Sequence, residues 1–233
     1  MSGQGQVGVG VRSQRVNVVI ALAVLAAIAL TFAGWAYDGW PHDYVALVVL
    51  TVLTLATRVV RVRVVERVAV AAGGIVSLAS CVMVGPVGSA VMMVLAILIE
   101  RGASAWSARL FNAALGAILG SVGGVVYLLL GGPRDLTTVF GPGQLLWHVG
   151  GPFFAASLAF SLVNFASIAL IVRVDSGESF RSMFFSMLTT SGLAQIGYSV
   201  VGLLFVILWV PAQVGPFSAL LILIPLFVAQ WAF

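Results

Sequence analysis

The sequence predicts an all-α fold, a polytopic membrane helix bundle of about eight spans with both termini in the cytoplasm. Composition is the first reason. Of the 233 residues, 61% are hydrophobic and 8% are charged, and the mean hydropathy of +1.16 exceeds what a soluble domain with a wet surface carries. The second reason is length, because the apolar runs are about 20 residues long, as a ~30 Å hydrocarbon core requires. The third is charge, since arginines cluster between alternate runs.

Eight apolar segments divide the chain. The predicted spans lie near residues 17–36, 44–60, 67–84, 87–101, 109–130, 149–172, 187–209 and 214–233. Residues 1–15 are polar and rich in glycine and are predicted to form a flexible cytoplasmic tail, which leaves residues 16–233 as a single transmembrane helical domain. The first apolar run is too long for a secretion signal and is interpreted as a retained span. Residues 67–101 form either two full spans or a re-entrant hairpin, so the expected count is six to eight.

The distribution of arginine sets the predicted orientation. All eleven basic residues are arginines, and with the N-terminus inside, Arg134 is the one that falls on the outer side. Asp38, Asp43 and Asp135 fall on the outer side as well. Because positive residues near span ends are retained in the cytoplasm, this arrangement predicts a multi-pass protein with both termini inside. The lipid bilayer is its expected partner, and the excess of arginine requires no nucleic acid.

Two Gly-Pro pairs mark predicted outer turns. Gly85-Pro86 lies in VGPVGSAV and Gly215-Pro216 lies in VGPFSALL, each between paired spans. These four residues are the turn or hinge candidates. The likeness of the two stretches is also compatible with a weak repeat of four spans, 16–108 and 109–233, although Gly-Pro turns are common.

An amphipathic segment precedes the seventh predicted span. DSGESFRSMFFSMLTTSG begins with Asp175 or Ser176 as a capping residue and then places Phe180, Met183 and Phe184 on one helical face. This spacing predicts a helix on the inner leaflet that leads into the seventh span.

Six polar side chains are the candidates for ligand contact or helix packing. They are Asn112, Asn164, Gln195, Tyr198, Tyr127 and Glu100. An amide buried in hydrocarbon without a partner is costly, so both asparagines are expected to face another helix or a wet cavity. Hydrogen bonding between helices is the commoner use of such groups. Glu100 is expected to pair with an arginine at the cytoplasmic edge, with a proton or cation site as the alternative.

The fifth span also carries a glycine pattern. Gly116, Gly120 and Gly124 are spaced four residues apart in LGAILGSVGGVV. Because this spacing places small residues on one helical face, it predicts close approach of a neighbouring helix more than a binding surface.

Catalytic and metal chemistry find little support in the sequence. The seven carboxylates lie mostly at span ends, with no acid and base pair beside a nucleophile inside the spans. His42 and His148 lie on separate loops without metal-ligand spacing. The single cysteine, Cys81, excludes an intramolecular disulfide. We therefore expect no enzyme activity, no metal and no cofactor.

The chain nevertheless resembles a known membrane region. The resemblance rests on four motifs: RLFNAALGAILGSVGGVVYLLLGG at 109–132, the Gly85-Pro86 that follows a Ser-containing span, Leu-Val-Asn at 162–164, and the closing segment from Pro225 to Phe233. In order and spacing they resemble the N-terminal multi-span membrane domain of bacterial, mainly actinobacterial, HD-GYP or GGDEF signalling proteins, over about residues 65–233. The resemblance implies a sensory or anchoring domain in the bacterial cytoplasmic membrane, whose usual output is cyclic-di-nucleotide turnover or another phosphohydrolase activity.

The sequence departs from that family pattern at its end. In the family the last span continues into a cytoplasmic enzyme, whereas this sequence ends at Phe233 without an HD pair or a GGDEF loop. The expectation is a fragment of a longer signalling protein. The alternative is a stand-alone domain whose output is carried by a partner.

Together these observations predict a non-enzymatic membrane domain that passes a signal to a cytoplasmic output domain or partner. Whether it forms a homodimer stays open. The alternative function is that of a small-molecule transport protein or the substrate-capturing membrane subunit of an importer, since such proteins also use short bundles with buried polar residues. An enzyme acting on lipid is the least supported alternative.

Overall fold

The computed structural model describes residues 4–41, 43–61, 66–99, 105–139, 141–210, 212–218 and 220–221. All regular structure in these ranges is helical. The predicted all-α fold class is therefore confirmed for the described part of the chain.

Within these ranges, seven helices of at least 15 residues form a bundle. They are α1 (Gln4–Asp38), α2 (Tyr44–Arg61), α3 (Glu66–Met83), α4 (Gly85–Ile99), α5 (Trp106–Leu129), α6 (Gly151–Ser176) and α7 (Phe180–Trp209). A 3-10 turn, Leu136–Thr138, lies between α5 and α6, and a π-helical turn, Leu145–Gly150, leads directly into α6. α1 begins inside the segment 1–15 that was expected to be a flexible tail.

Four of the described helices are long and apolar enough to cross a membrane. They are Gln14–Asp38, Trp106–Leu129, Leu145–Ser176 and Phe180–Trp209, and the shorter apolar helices are Tyr44–Ala56, Gly73–Met83 and Gly85–Ile99. This architecture is consistent with a helical membrane bundle. The predicted eighth span, 214–233, lies mostly outside the described residues, so the count of about eight stays a prediction, as does the choice between spans and hairpin at 67–101.

The start of α7 differs from the sequence-based expectation. The helix begins at Phe180 with Ser179 at the N-cap and runs unbroken for 30 residues. The predicted capping residues, Asp175 and Ser176, are wrong because both belong to the last turn of α6, which ends at Gly177 with a φ of 79°. The amphipathic segment is therefore the first part of α7 and not a separate surface helix.

α5 packs against α4 along the glycine face that the sequence predicted. A methyl group on Gly120 would lie 2.7 Å from the backbone nitrogen of Ala90, and one on Gly124 would lie 2.6 Å from the nitrogen of Pro86. Gly116 meets α4 two turns further along. Because backbone atoms cannot move aside, only glycine permits this approach. The close contact places α4, most of whose residues are buried, in the centre of the bundle.

The turn between α3 and α4 consists of Val84 followed by Gly85, which has a φ of 71°. Pro86 packs against α1, where a methyl group on Gly34 would lie 2.9 Å from Pro86 Cβ. Gly215 also has a positive φ, 60°. Both predicted Gly-Pro turns thus use a backbone conformation that favours glycine. The internal repeat itself stays a prediction.

The two ends of the bundle differ in charge. Arg15 of α1 and Arg173 of α6 line one cavity, and we call this the arginine end. Asp38, Asp43 and Asp135 line a cavity at the opposite ends of the helices, and we call this the acidic end. α1 therefore runs from the arginine end to the acidic end, and α6 runs in the reverse direction.

Candidate functional site

A cavity of about 520 Å³ lies at the acidic end. Three segments form its walls, namely the connection from α1 to α2, the turn between α3 and α4, and the loop after α5. The lining includes Asp38, Asp43, Arg134, Asp135, Cys81 and Gly85. This volume is within the range of roughly 300–1,000 Å³ that is typical of small-molecule sites.

An ion pair joins two of these walls. Arg134 Nε lies 2.8 Å from Asp38 Oδ1. The same guanidinium donates a hydrogen bond to the carbonyl oxygen of Tyr37 at 3.0 Å and stands 5.8 Å from the centre of the Tyr37 ring. The side chain of Asp38 is 9% exposed and that of Arg134 is 55% exposed. One guanidinium therefore ties the loop after α5 to the last turn of α1 through an ion pair with Asp38 and a hydrogen bond to Tyr37; among the described residues, Asp38 Oδ1 accepts no hydrogen bond.

The carboxylate of Asp38 also lies against the start of α4. A methyl group on Gly85 would sit 2.7 Å from Asp38 Oδ2, so a larger residue at this position would displace the carboxylate. A negative charge beside a helix N-terminus is favoured by the helix dipole. The predicted turn residue Gly85 thus has a second role, because its missing side chain leaves room for Asp38.

The other two carboxylates of the cavity cap helical turns. Asp43 Oδ1 accepts a hydrogen bond from the backbone nitrogen of Ala46 at 2.8 Å, at the start of α2. Asp135 Oδ1 accepts from the backbone nitrogen of Thr137 at 2.9 Å and from the Thr137 hydroxyl at 2.6 Å. These hydrogen bonds hold the pKa of Asp135 below its ordinary value. Both carboxylates serve local structure, whereas Asp38 links separate elements.

The loop over the cavity forms a compact strap, which we define as residues 131–139. Leu136, in the middle of the strap, is buried in the core. Tyr127 of α5 donates its hydroxyl hydrogen bond to the carbonyl oxygen of Pro133 at 3.3 Å. A methyl group on Gly132 would lie 2.5 Å from the Tyr127 ring, so the ring packs directly on the backbone of the strap. Apolar anchors therefore hold the strap in addition to the ion pair.

A buried thiol lies at the wall of the cavity and contacts the polar groups behind it. Cys81 lines the cavity and is 2% exposed. Its sulfur lies 3.4 Å from the carbonyl oxygen of Ser77 and 3.6 Å from Ser89 Oγ. Ser80 donates to the same Ser77 carbonyl at 2.7 Å and lies 2.7 Å from Ser89 Oγ. These contacts join α3 to α4.

The structure distributes the predicted polar candidates over the bundle. Asn112 is exposed and lines a cavity of about 580 Å³ near the arginine end. Tyr127 is buried at the acidic end. The half-buried candidates on α6 and α7 are Asn164, Gln195 and Tyr198. Glu100 lies outside the described residues. The described cavities do not bring these side chains together into one polar pocket.

The four turn candidates lie in two different environments. Gly85 lines the acidic-end cavity and Pro86 is buried behind it. Gly215 is half-buried and Pro216 is exposed. Val210, which precedes this second turn, also lines the acidic-end cavity, so both turns belong to the same end of the bundle.

Sequence reasoning missed the pairing of Asp38 with Arg134 and the hydroxyl pairs between helices. The hydroxyl pairs are Ser80 with Ser89, Ser157 with Ser199, and Thr31 with Ser121. A signal for the serines was present, because small residues recur at helical spacing in these spans. The ion pair joins the last turn of α1 to the loop after α5, which are far apart in the sequence, and no local pattern indicates it.

The arrangement at the acidic end is suited to binding. Within the described residues, no group of three or more His, Cys, Asp or Glu side chains is placed to hold a metal ion. Of the two histidines, His148 is exposed and His42 lies outside the described ranges. The cavity wall carries three carboxylates and one guanidinium next to apolar side chains. Its electrostatics therefore favour a small ligand that combines a cationic group with an apolar part.

No family model matches this sequence, and comparison with curated proteins and with solved structures found none that is similar. The class of the protein therefore rests on its own features. It is a helical bundle with helices that are long and apolar enough to cross a membrane.

Proposed function

We propose that this chain is a non-enzymatic sensory or anchoring domain of the bacterial cytoplasmic membrane, with the arginine end in the cytoplasm. In this proposal a small ligand enters the acidic-end cavity from outside. The resulting change in helix packing passes along the bundle to a cytoplasmic output domain or partner. The sequence resemblance supports an output in cyclic-di-nucleotide or phosphohydrolase signalling.

The observation that carries the proposal is the position of the polar cavity. It lies at the acidic end, opposite Arg15 and Arg173. Arginines near span ends are retained in the cytoplasm, so a cavity at the other end faces outward. A ligand that binds there shifts the balance between two packings only if it contacts them differently. The strap and the turn before α4 meet at this cavity and supply surfaces whose contacts differ when the strap moves.

Transport remains the second candidate because of a different feature. A groove of about 460 Å³ lies between α1, α4 and α5, with apolar lining residues such as Ala27, Val91 and Ala117. Thr31 also lines the groove, and its hydroxyl lies 3.2 Å from Ser121 Oγ. A groove of this composition suits a lipophilic substrate that enters from the bilayer. It would serve a substrate-capturing membrane subunit.

A fusion protein tests the sensory function. We would join a diguanylate cyclase catalytic domain after Phe233 and measure the cyclic-di-nucleotide that membranes produce. Asp38→Asn, which removes the charge that binds Arg134, is expected to change output by at least about threefold, as a coupling of about 0.7 kcal/mol requires. Gly197→Ala is the matched control, because Gly197 is exposed on α7 with no neighbouring atom near an added methyl group.

The outcomes separate the roles of the domain. Output that changes in Asp38→Asn and not in Gly197→Ala supports signal transfer from the acidic end. Equal output from the parent and both variants, at equal membrane content, would reduce the domain to an anchor. No membrane-bound activity in any fusion would contradict a cytoplasmic position for the C-terminus.

A further inference from the structure

We infer that the strap is a gate over the acidic-end cavity and that the Asp38 and Arg134 ion pair is the latch that keeps it closed. The inference concerns regulation of the cavity described above and rests on the proposed function for its biological meaning. The gate itself is defined by geometry alone.

Contacts of the latch converge on Arg134. Its guanidinium meets the Asp38 carboxylate, the Tyr37 carbonyl and the Tyr37 ring. All three contacts are made to the last turn of α1, so loss of this one side chain removes them together. The guanidinium is more than half exposed, whereas the carboxylate is almost fully buried. The latch therefore opens from the solvent side without moving α1.

Two glycines flank the moving part. Gly131 has a φ of 84° and Gly141 has a φ of 87°, and no atom lies within 4 Å of a methyl group added to either. Glycine adopts a positive φ without the steric penalty that a side chain would bring, so the chain turns sharply at both ends of the strap. Between them, Asp135 caps the 3-10 turn Leu136–Thr138. Opening of the strap also withdraws Leu136 from the core and breaks the hydrogen bond from Tyr127 to Pro133, so these contacts hold the gate closed together with the ion pair.

A single cysteine in the cavity wall makes the opening of the gate measurable. Cys81 is the only cysteine of the chain, lines the cavity, and is 2% exposed with the strap in place. Residues 134–137 of the strap line the same cavity. Opening of the strap exposes the cavity to reagents that do not cross membranes. The rate of Cys81 modification therefore measures how often the gate opens.

The experiment compares the rates of Cys81 modification by a cationic and an anionic methanethiosulfonate in the full chain in lipid nanodiscs. Arg134→Gln is expected to raise both rates by about tenfold. This corresponds to a loss of about 1.4 kcal/mol in the free energy that favours the closed strap over the open one. Use of both reagents separates gate opening from a change in local charge, because charge alone shifts the two rates in opposite directions. Arg173→Gln, an exposed arginine at the other end, is the matched control and is expected to leave the rates unchanged.

Wild-type protein gives a second measurement that needs no substitution. Raising the ionic strength screens the exposed guanidinium of Arg134 and weakens its pairing with Asp38, so the modification of Cys81 is expected to accelerate with salt in wild type and not in Arg134→Gln. Unchanged rates in a folded Arg134→Gln protein, or equal acceleration in Arg173→Gln, would overturn the gate. So would a wild-type rate that does not depend on salt. A gate that opens as expected, together with a fusion protein whose output is constant, would preserve this inference and reject the sensory function.

Discussion

At the scale of the residue, Asp135 offers a test of the strap's internal order. Its carboxylate accepts two hydrogen bonds from Thr137, which lower its pKa below the ordinary value of 3.8. The stabilisation by this cap is fully present above pH 3.8 and is lost as the pH falls through the lowered pKa. Thr137→Val removes the hydroxyl donor and keeps the backbone donor. We expect the pKa of Asp135 to rise part of the way toward its ordinary value, as measured by carbon-13 NMR titration of labelled aspartate.

Thr138→Val is the control for that titration. The Thr138 hydroxyl donates to the backbone carbonyl oxygen of Asp135 at 2.7 Å and does not touch the carboxylate. The pKa of Asp135 is therefore expected to stay low in this variant. A pKa that rises equally in both variants would mean that general loosening of the strap, and not the Thr137 hydroxyl, controls the titration.

At the level of the residue, the sequence predicted local backbone geometry but did not indicate which side chains contact one another. Gly85 follows from its Gly-Pro context, because a positive φ is a property of the chain at that point. Asn112 was expected to face another helix or a wet cavity; it is exposed and lines a cavity, and its role in ligand contact or packing stays a prediction. Hydroxyls such as Ser80 and Ser89 make the buried contacts instead. Which side chains meet depends on the rotation of each helix, and a single sequence does not specify it.

At the scale of the element, the seven described helices follow the apolar runs closely. Burial of backbone polar groups in lipid leaves helices as the available structure for such runs, so their existence is predictable from composition. The positions of the helix ends are less predictable. α7 contains 30 residues and is about 45 Å long, which exceeds a ~30 Å hydrocarbon core. The sequence analysis predicted a surface segment followed by a span here, because the first residues are amphipathic. The backbone instead continues as one unbroken helix.

The contact between α4 and α5 yields a prediction about stability. Gly120→Ala would place a methyl group 2.7 Å from the Ala90 nitrogen and 2.9 Å from Ser89 Oγ. Since the backbone of α4 cannot yield locally, the two helices must separate. We expect a loss of about 1–3 kcal/mol in the free energy of unfolding. Denaturant titration of the purified protein in detergent, followed by circular dichroism, measures this change.

Gly197→Ala is again the matched control for this substitution. It makes the same chemical change in a helix, at an exposed position with open space around it. Higher helix propensity alone is expected to leave stability unchanged or raise it by up to about 1 kcal/mol. Equal effects of the two substitutions would show that the glycines of α5 do not set the distance between the helices.

At the scale of the whole molecule, the asymmetry of charge predicts an orientation of the bundle in a membrane. Arg15 and Arg173 share one end, whereas Asp38, Asp43 and Asp135 share the other. The sequence predicted this separation because each span places the next loop on the opposite side of the membrane. It did not predict the cavity. The cavity arises where the connection from α1 to α2, the turn between α3 and α4, and the loop after α5 meet, and these segments are distant in the sequence.

This asymmetry makes a prediction that needs two single-cysteine variants. In a Cys81→Ser background, Thr138→Cys places a thiol on the exposed strap, and Ser179→Cys places one on the exposed connection between α6 and α7. With the arginine end in the cytoplasm, an impermeant maleimide added to intact cells should label the first and not the second. Permeabilised cells should label both, because neither position is buried. Labelling of Ser179→Cys alone in intact cells would invert the bundle, direct the cavity toward the cytoplasm, and exclude an external ligand as its stimulus.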